Sequence, residues 1–315
     1  MTLDFSSSLL HYLSSALIVI LPGLGVSLGQ GFTSTAATEA LNQQPHAYNE
    51  ITRTFGIALA LIETAAILSL IVGVKIFLLG SQLTAFTHYA ELGVALAVGI
   101  TGCAAGLLSS LPARETCKAI ARQPFFTNKI QLLMVITQSL MQTPVLLAFI
   151  LSFLVLGQIE TIANHADALR LLGAGLCLGV GSIGPVWGLA QLSQGACEGI
   201  GKNKHAYARI LPFTIVSAAL IESAIIFCLV ISLFLLGSKA TAETNGFMYL
   251  SSAAVMGFGT IGVGISSGRL TAQACRVFSS NTSLYPDISK LSFFSQILIE
   301  TSAVYALVIS LFILF

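Results

Sequence analysis

Four short segments of this chain share one pattern: Leu61-Ile62-Glu63-Thr64, Leu140-Met141-Gln142-Thr143, Leu220-Ile221-Glu222-Ser223 and Leu298-Ile299-Glu300-Thr301. Their third residues are 79, 80 and 78 positions apart. Three of these residues are glutamates set midway along apolar stretches, while the other ten acidic residues lie near stretch ends or in loops. A charge at the centre of a membrane helix costs ~3 kcal/mol or more on insertion scales, so an acid at that depth is a functional candidate. Hydrocarbon disfavours the charged form of a carboxyl, so each Glu would hold a proton until it met water or an opposite charge. That is the chemistry of an ion carrier. A protonated Glu that only joins two helices is the plainer alternative, but three at one repeat position, each followed by a hydroxyl (Thr64, Ser223, Thr301), favour the carrier. Gln142 keeps the shape and the hydrogen-bonding head but cannot ionise, and is expected to be inert.

These residues need elements that hold them in hydrocarbon. Of 315 residues, 55% are hydrophobic and 9% charged, against roughly 25% charged in soluble domains. Mean hydropathy is +0.90. A net charge of +1 excludes bulk attraction to nucleic acid or acidic substrates. Hydropathy predicts eight spans, at about 9–41, 50–79, 88–121, 129–157, 168–200, 208–237, 248–279 and 287–314. Met1 to Ser15 lacks a basic leading region, so the first apolar run reads as a span and not a cleaved signal. Only helices satisfy their own backbone in such segments. The expected fold is all-α and transmembrane: eight membrane-spanning helices as four tandem hairpins, over 1–82, 83–161, 162–241 and 242–315. Gln44-Pro45 and Gln123-Pro124 stand 19 residues before Glu63 and Gln142, and His46-Ala47-Tyr48 matches His205-Ala206-Tyr207 at one fixed distance from Glu63 and Glu222.

Eleven of fourteen basic residues lie at the hairpin-loop ends; only Lys75, Arg170 and Lys239 lie near the other ends. The loops are therefore expected on the cytoplasmic side of a cell membrane and both termini on the outer side. The first helix of every hairpin is rich in glycine: Gly23, Gly25, Gly29 and Gly31 in the first, Gly99, Gly102 and Gly106 in the second, with longer series from Gly173 and from Gly257. Such stripes let backbones approach closely in lipid, and their restriction to odd helices predicts a tight inner layer. The six cysteines lie in apolar segments without metal-ligand spacing and read as small buried residues, and no metal centre is expected. His11, His88 and His165 lie near span ends, 52, 54 and 57 residues before the motif residue, and share no repeat position; no histidine is assigned a part in transport.

Taken together, Gly29-Gln30-Gly31, Ala121-Arg122-Gln123-Pro124 and the Leu-Ile-Glu-Thr segments resemble the c subunit (proteolipid) of F-type rotary ATP synthases. The resemblance covers nearly the whole chain four times over, where a typical member is one hairpin. It implies a rotor ring with glycine-rich helices inside and acid-bearing helices outside, formed with other copies of the chain in lipid. It implies a neighbouring a subunit whose channel arginine discharges each Glu, and central-stalk subunits gripped by the loops, with Arg122, Gln123 and Pro124 as the best match. Asn42-Gln43-Gln44-Pro45 lacks the Arg, and Gly201 to Lys204 and Ser279 to Ser283 lack the motif, so stalk contact is expected to be uneven. The chain would be a non-catalytic subunit without a cofactor.

Sodium-carrying relatives resemble one another in using a Gln of the first helix, the Glu and an adjacent hydroxyl. The first hairpin offers Gln30, Glu63 and Thr64 for Na+, but at the position of Gln30 the others carry Ser109, Leu189 and Ser267. A site at Glu222 is poor in oxygen ligands, so the expected ion is the proton, with sodium as the alternative. Three carriers per four hairpins would lower the ions moved per rotation by a quarter against an all-Glu ring of equal size. Since one charge through 100 mV is worth ~2.3 kcal/mol, such gearing favours ATP-driven pumping. The rival readings are a secondary transporter with internal repeats and a membrane scaffold. The first would need broken helices around a substrate cavity, often between inverted repeats. The second leaves three buried acids unexplained.

Overall fold

Long runs of Leu, Ile, Ala, Val and Gly, bounded by short polar turns, give nine α-helices among the described residues. A computed structural model describes residues 2–79, 86–239 and 245–315. The expected hairpin boundaries at 82/83 and 241/242 lie outside them. The helices are α1 (Thr2–Gln43), α2 (Tyr48–Leu79), α3 (Thr87–Leu108), α4 (Ser110–Arg122), α5 (Thr127–Leu156), α6 (His165–Lys202), α7 (Tyr207–Gly237), α8 (Gly246–Ser280) and α9 (Tyr285–Leu314). Eight helical segments are long and apolar enough to cross a membrane, and the chain is a membrane protein.

The expected single span over 88–121 is interrupted at Ser109. Pro112 lacks the N–H that would bond Leu108, and the Ser110 hydroxyl takes the Leu107 carbonyl at 2.7 Å. Pro22, Pro144, Pro185 and Pro212 lie within unbroken helices, so proline beside a serine pair, and not proline alone, marks the break.

The helices form two layers. α1, the α3–α4 pair, α6 and α8 pack successively on one another, and α2, α5, α7 and α9 cover them from one side. Glycine sets the inner spacing. A methyl group added to Gly29 would run into the backbone of Gly106, one on Gly175 into Gly93, and one on Gly264 into Gly184. Gly23, Gly31 and Gly262 of the same stripes meet nothing within 4 Å. Gly23 and Gly31 stand at the positions where Gly102 and Gly268 touch the preceding hairpin, and Gly262 where Gly25 touches the following one. The open glycines thus mark the two free edges of the layer. Ile67, Leu70 and Phe77 of α2 and Phe294, Val308 and Phe312 of α9 are exposed apolar residues, as a lipid-facing layer requires.

All four loops make one turn. Gln44, Gln123, Asn203 and Asn281, each 19 residues before the motif residue, precede a short 3-10 helix with φ of −140, −138, −144 and −139°. Proline fixes the next residue in the first two; in the others the Asn side chain accepts the N–H two residues on, from His205 at 3.0 Å and Ser283 at 3.2 Å.

Candidate ion-carrying site

The motif residues sit at one level on the outer helices because hairpins pack in register, about 80 residues apart. Thr101 and Ser182 hydroxyls meet at 3.0 Å across α3 and α6. Thr116 Oγ1 donates to Cys197 Sγ at 3.3 Å. At the loop end Gln123 Nε2 donates to the Gly201 carbonyl at 2.9 Å, and Asn203 Nδ2 to that of Ser279 at 3.0 Å.

This register sets each motif residue against the preceding hairpin. The Thr143 hydroxyl stands beside the Glu222 carboxyl and Ser223 beside Glu300, with no hydrogen bond between either pair among the described residues. Glu222 and Glu300 are half-buried, each with Oε1 unpartnered among the described residues. Glu63, on the first described hairpin, is exposed. Gln142 departs from all three: it is 6% exposed, and its Nε2 donates to the Leu61 carbonyl at 3.1 Å and to Ser109 Oγ at 3.4 Å.

The support residues are less gathered than their spacing suggests. Thr64 Oγ1 donates to the Leu61 carbonyl of its own helix at 2.7 Å, and Thr301 Oγ1 to that of Leu298 at 2.6 Å. Among the described residues no hydrogen bond joins the Gln30 side chain to Glu63. Leu189, at the corresponding position on α6, is buried and supplies no side-chain oxygen. At the loops, Arg122 is exposed and lines a groove with Pro124, Phe125, Lys202, Lys204 and His205, while the Gln123 amide is occupied by Gly201.

Several residues escaped the sequence. Phe125, wholly exposed beside Arg122 and Pro124, continues the loop surface. Gln138 and Gln296, each four residues before a motif residue, are fully buried; a search for polar residues one turn from the motif would have found them. Far from this level, His11 Nδ1 lies 2.9 and 3.0 Å from the two Glu91 carboxylate oxygens, joining α1 to α3. Its partner stands 80 residues away with no shared motif, so spacing offered no signal.

A family model for the C subunit of ATP synthase matches four times in tandem, at residues 13–76, 92–155, 172–235 and 250–313. A curated c subunit of the ATP synthase of Dehalococcoides mccartyi (strain CBDB1) is 45% identical over 72 residues, which are 23% of this chain and 95% of that protein. Its counterpart in Prochlorococcus marinus (strain AS9601) is 41% identical over 70 residues, 22% of this chain and 86% of its own length.

Proposed function

The chain belongs to the family of ATP synthase C subunits, and from that premise we propose that Glu63, Glu222 and Glu300 are its proton carriers. Membership makes it a rotor-ring subunit of ATP synthase, assembled with other copies. In our reading each Glu travels protonated through lipid and discharges beside a channel arginine of a neighbouring a subunit. The observation that carries the reading is that two of the three carboxyls stand beside the preceding hairpin's hydroxyl, Glu222 by Thr143 and Glu300 by Ser223. By the same register Glu63 is completed by Thr301 of a second copy, across the edges marked by Gly23, Gly31 and Gly262. Three carriers and one non-carrier per chain give fewer ions per rotation, which favours pumping driven by ATP.

Protons are favoured over sodium because Thr64 and Thr301 donate to their own helix carbonyls and the inner face opposite Glu222 presents Leu189. A sodium ion wants several oxygens, and that site offers few. The excess of Lys and Arg at the loop ends supports loops on the cytoplasmic side of the inner membrane, where they would meet the central stalk. There Arg122 and Phe125 would form the exposed part of the contact, with half-buried Pro124 between them. In vesicles containing the complex, Glu222→Gln or Glu300→Gln should lower ATP-driven proton uptake at least about tenfold while the ring remains intact. Uptake equal to the parent protein in both variants would sink the carrier assignment.

A further inference from the structure

Hairpins 2 and 4 carry the same buried pair in two different states. Gln138 and Gln296 lie four residues before Gln142 and Glu300, and Ser109 and Ser267 lie 33 residues before them. In hairpin 2 the pair is joined through the amide nitrogen, with Gln138 Oε1 left unpartnered among the described residues. The break at Ser109 turns its carbonyl toward α5, and Gln138 Nε2 donates to it at 2.9 Å. In hairpin 4 the position of Pro112 is held by Leu270, and α8 runs unbroken. The Ser267 carbonyl also accepts the Thr271 hydroxyl at 2.8 Å, where hairpin 2 has Ala113. Gln296 is fully buried, yet neither its Nε2 nor its Oε1 has a partner among the described residues. Ser267 Oγ, Ser223 Oγ and Glu300 Oε1 are also unpartnered there.

Residues four apart share a helix face, so Gln296 and Glu300 lie on one side of α9, which packs against α8 and α7. A buried amide with both ends unmet calls for a guest that both donates and accepts. A metal ion would satisfy the oxygens and leave Nε2 with nothing to bond. Water donates to Oε1 and accepts from Nε2, and the unpartnered Ser267 Oγ and Glu300 Oε1 would bring its polar partners to the two to four that a buried water requires. We propose that hairpin 4 binds an ordered water between Gln296, Ser267 and Glu300, so that Glu300 has a hydrated carboxyl and Glu63 and Glu222 do not. Leu59 and Ala218 replace this Gln in hairpins 1 and 3. Calling Glu300 a hydrated carrier rests on the carrier reading above; the water itself does not.

The test is a structure of the assembled ring resolved finely enough to show solvent, with infrared spectra of the parent ring and of Gln296→Leu. A water peak between Gln296 and Glu300, without one at Glu63 or Glu222, is the expected result. One of three protonated-carboxyl C=O bands should lie at lower frequency and join the other two in Gln296→Leu. A Gln296 amide bonded directly to protein, a metal ion with oxygen-only contacts, or bands unchanged by the substitution would overturn the proposal. Should Gln296→Leu fail to assemble, the solvent peak in the parent ring decides alone. A water beside a Glu300 that carbodiimide never modifies would keep the water and refute the carrier.

Discussion

Hairpins 2 and 3 are neighbours built to one plan, yet their motif residues live differently. Glu222 projects half-buried from an outer helix with one carboxylate oxygen unpartnered and a hydroxyl of the previous hairpin before it. Gln142 is turned inward, its Nε2 donating to the Leu61 carbonyl and to the Ser109 hydroxyl, while the Ser109 carbonyl at the helix break accepts from Gln138. A carrier must gain and lose its ion, so its head cannot be tied to permanent partners. A clasp must keep them. In the proposed reading the same position in the repeat serves either purpose, according to the residue placed there and the partners it meets.

The widest break in this comparison removes the frame common to both hairpins. A Cβ on Gly184 would lie 2.5 Å from Ile261 Cα and from the Thr260 carbonyl oxygen, so Gly184→Leu should abolish the detergent-resistant ring on gels. Next, Gln142→Glu separates residue type from surroundings. Ionisability alone would raise the ions moved per rotation by a third, from three carriers per chain to four. Both bonds of Gln142 are donated by the amide nitrogen that the substitution removes, so a rise of a third is expected, and an unchanged count would contradict the assignment of inertness to residue type. Gln142→Leu removes both hydrogen bonds, each worth about 1 kcal/mol, and should lower ring melting by a few degrees while uptake stays within twofold. A variant that halts uptake at full ring stability would make Gln142 a transport residue. The smallest effect is expected for Thr143→Val, which should change carbodiimide labelling of Glu222 a few-fold and leave Glu63 untouched. Equal effects on both would break the pairing of hydroxyl with the following carboxyl.

Much of this was legible in one dimension. The acid positions, the eight spans and the glycine-rich inner helices follow from period and composition, because lipid leaves few ways to satisfy a backbone. What stayed hidden depends on partners in other hairpins. Asn203 and Asn281 reproduce the turn of the Gln-Pro loops through a side-chain acceptor, so the shared position does not show as shared letters. Pro112 was visible, but four other prolines leave their helices whole, and only the neighbouring serines single it out. The His11–Glu91 pair and the difference between Gln138 and Gln296 arise from which helices face each other.

The most direct test of the carriers is carbodiimide labelling of the purified ring, read residue by residue by mass spectrometry over a pH series with and without sodium. A carboxyl reacts when protonated and is protected when a bound cation replaces the proton. Labelling at Glu63, Glu222 and Glu300, fading as pH rises and indifferent to sodium, is the predicted result. Protection by sodium would replace the proton with sodium and keep the rotor, and no labelling at any of the three would contradict the carrier mechanism itself.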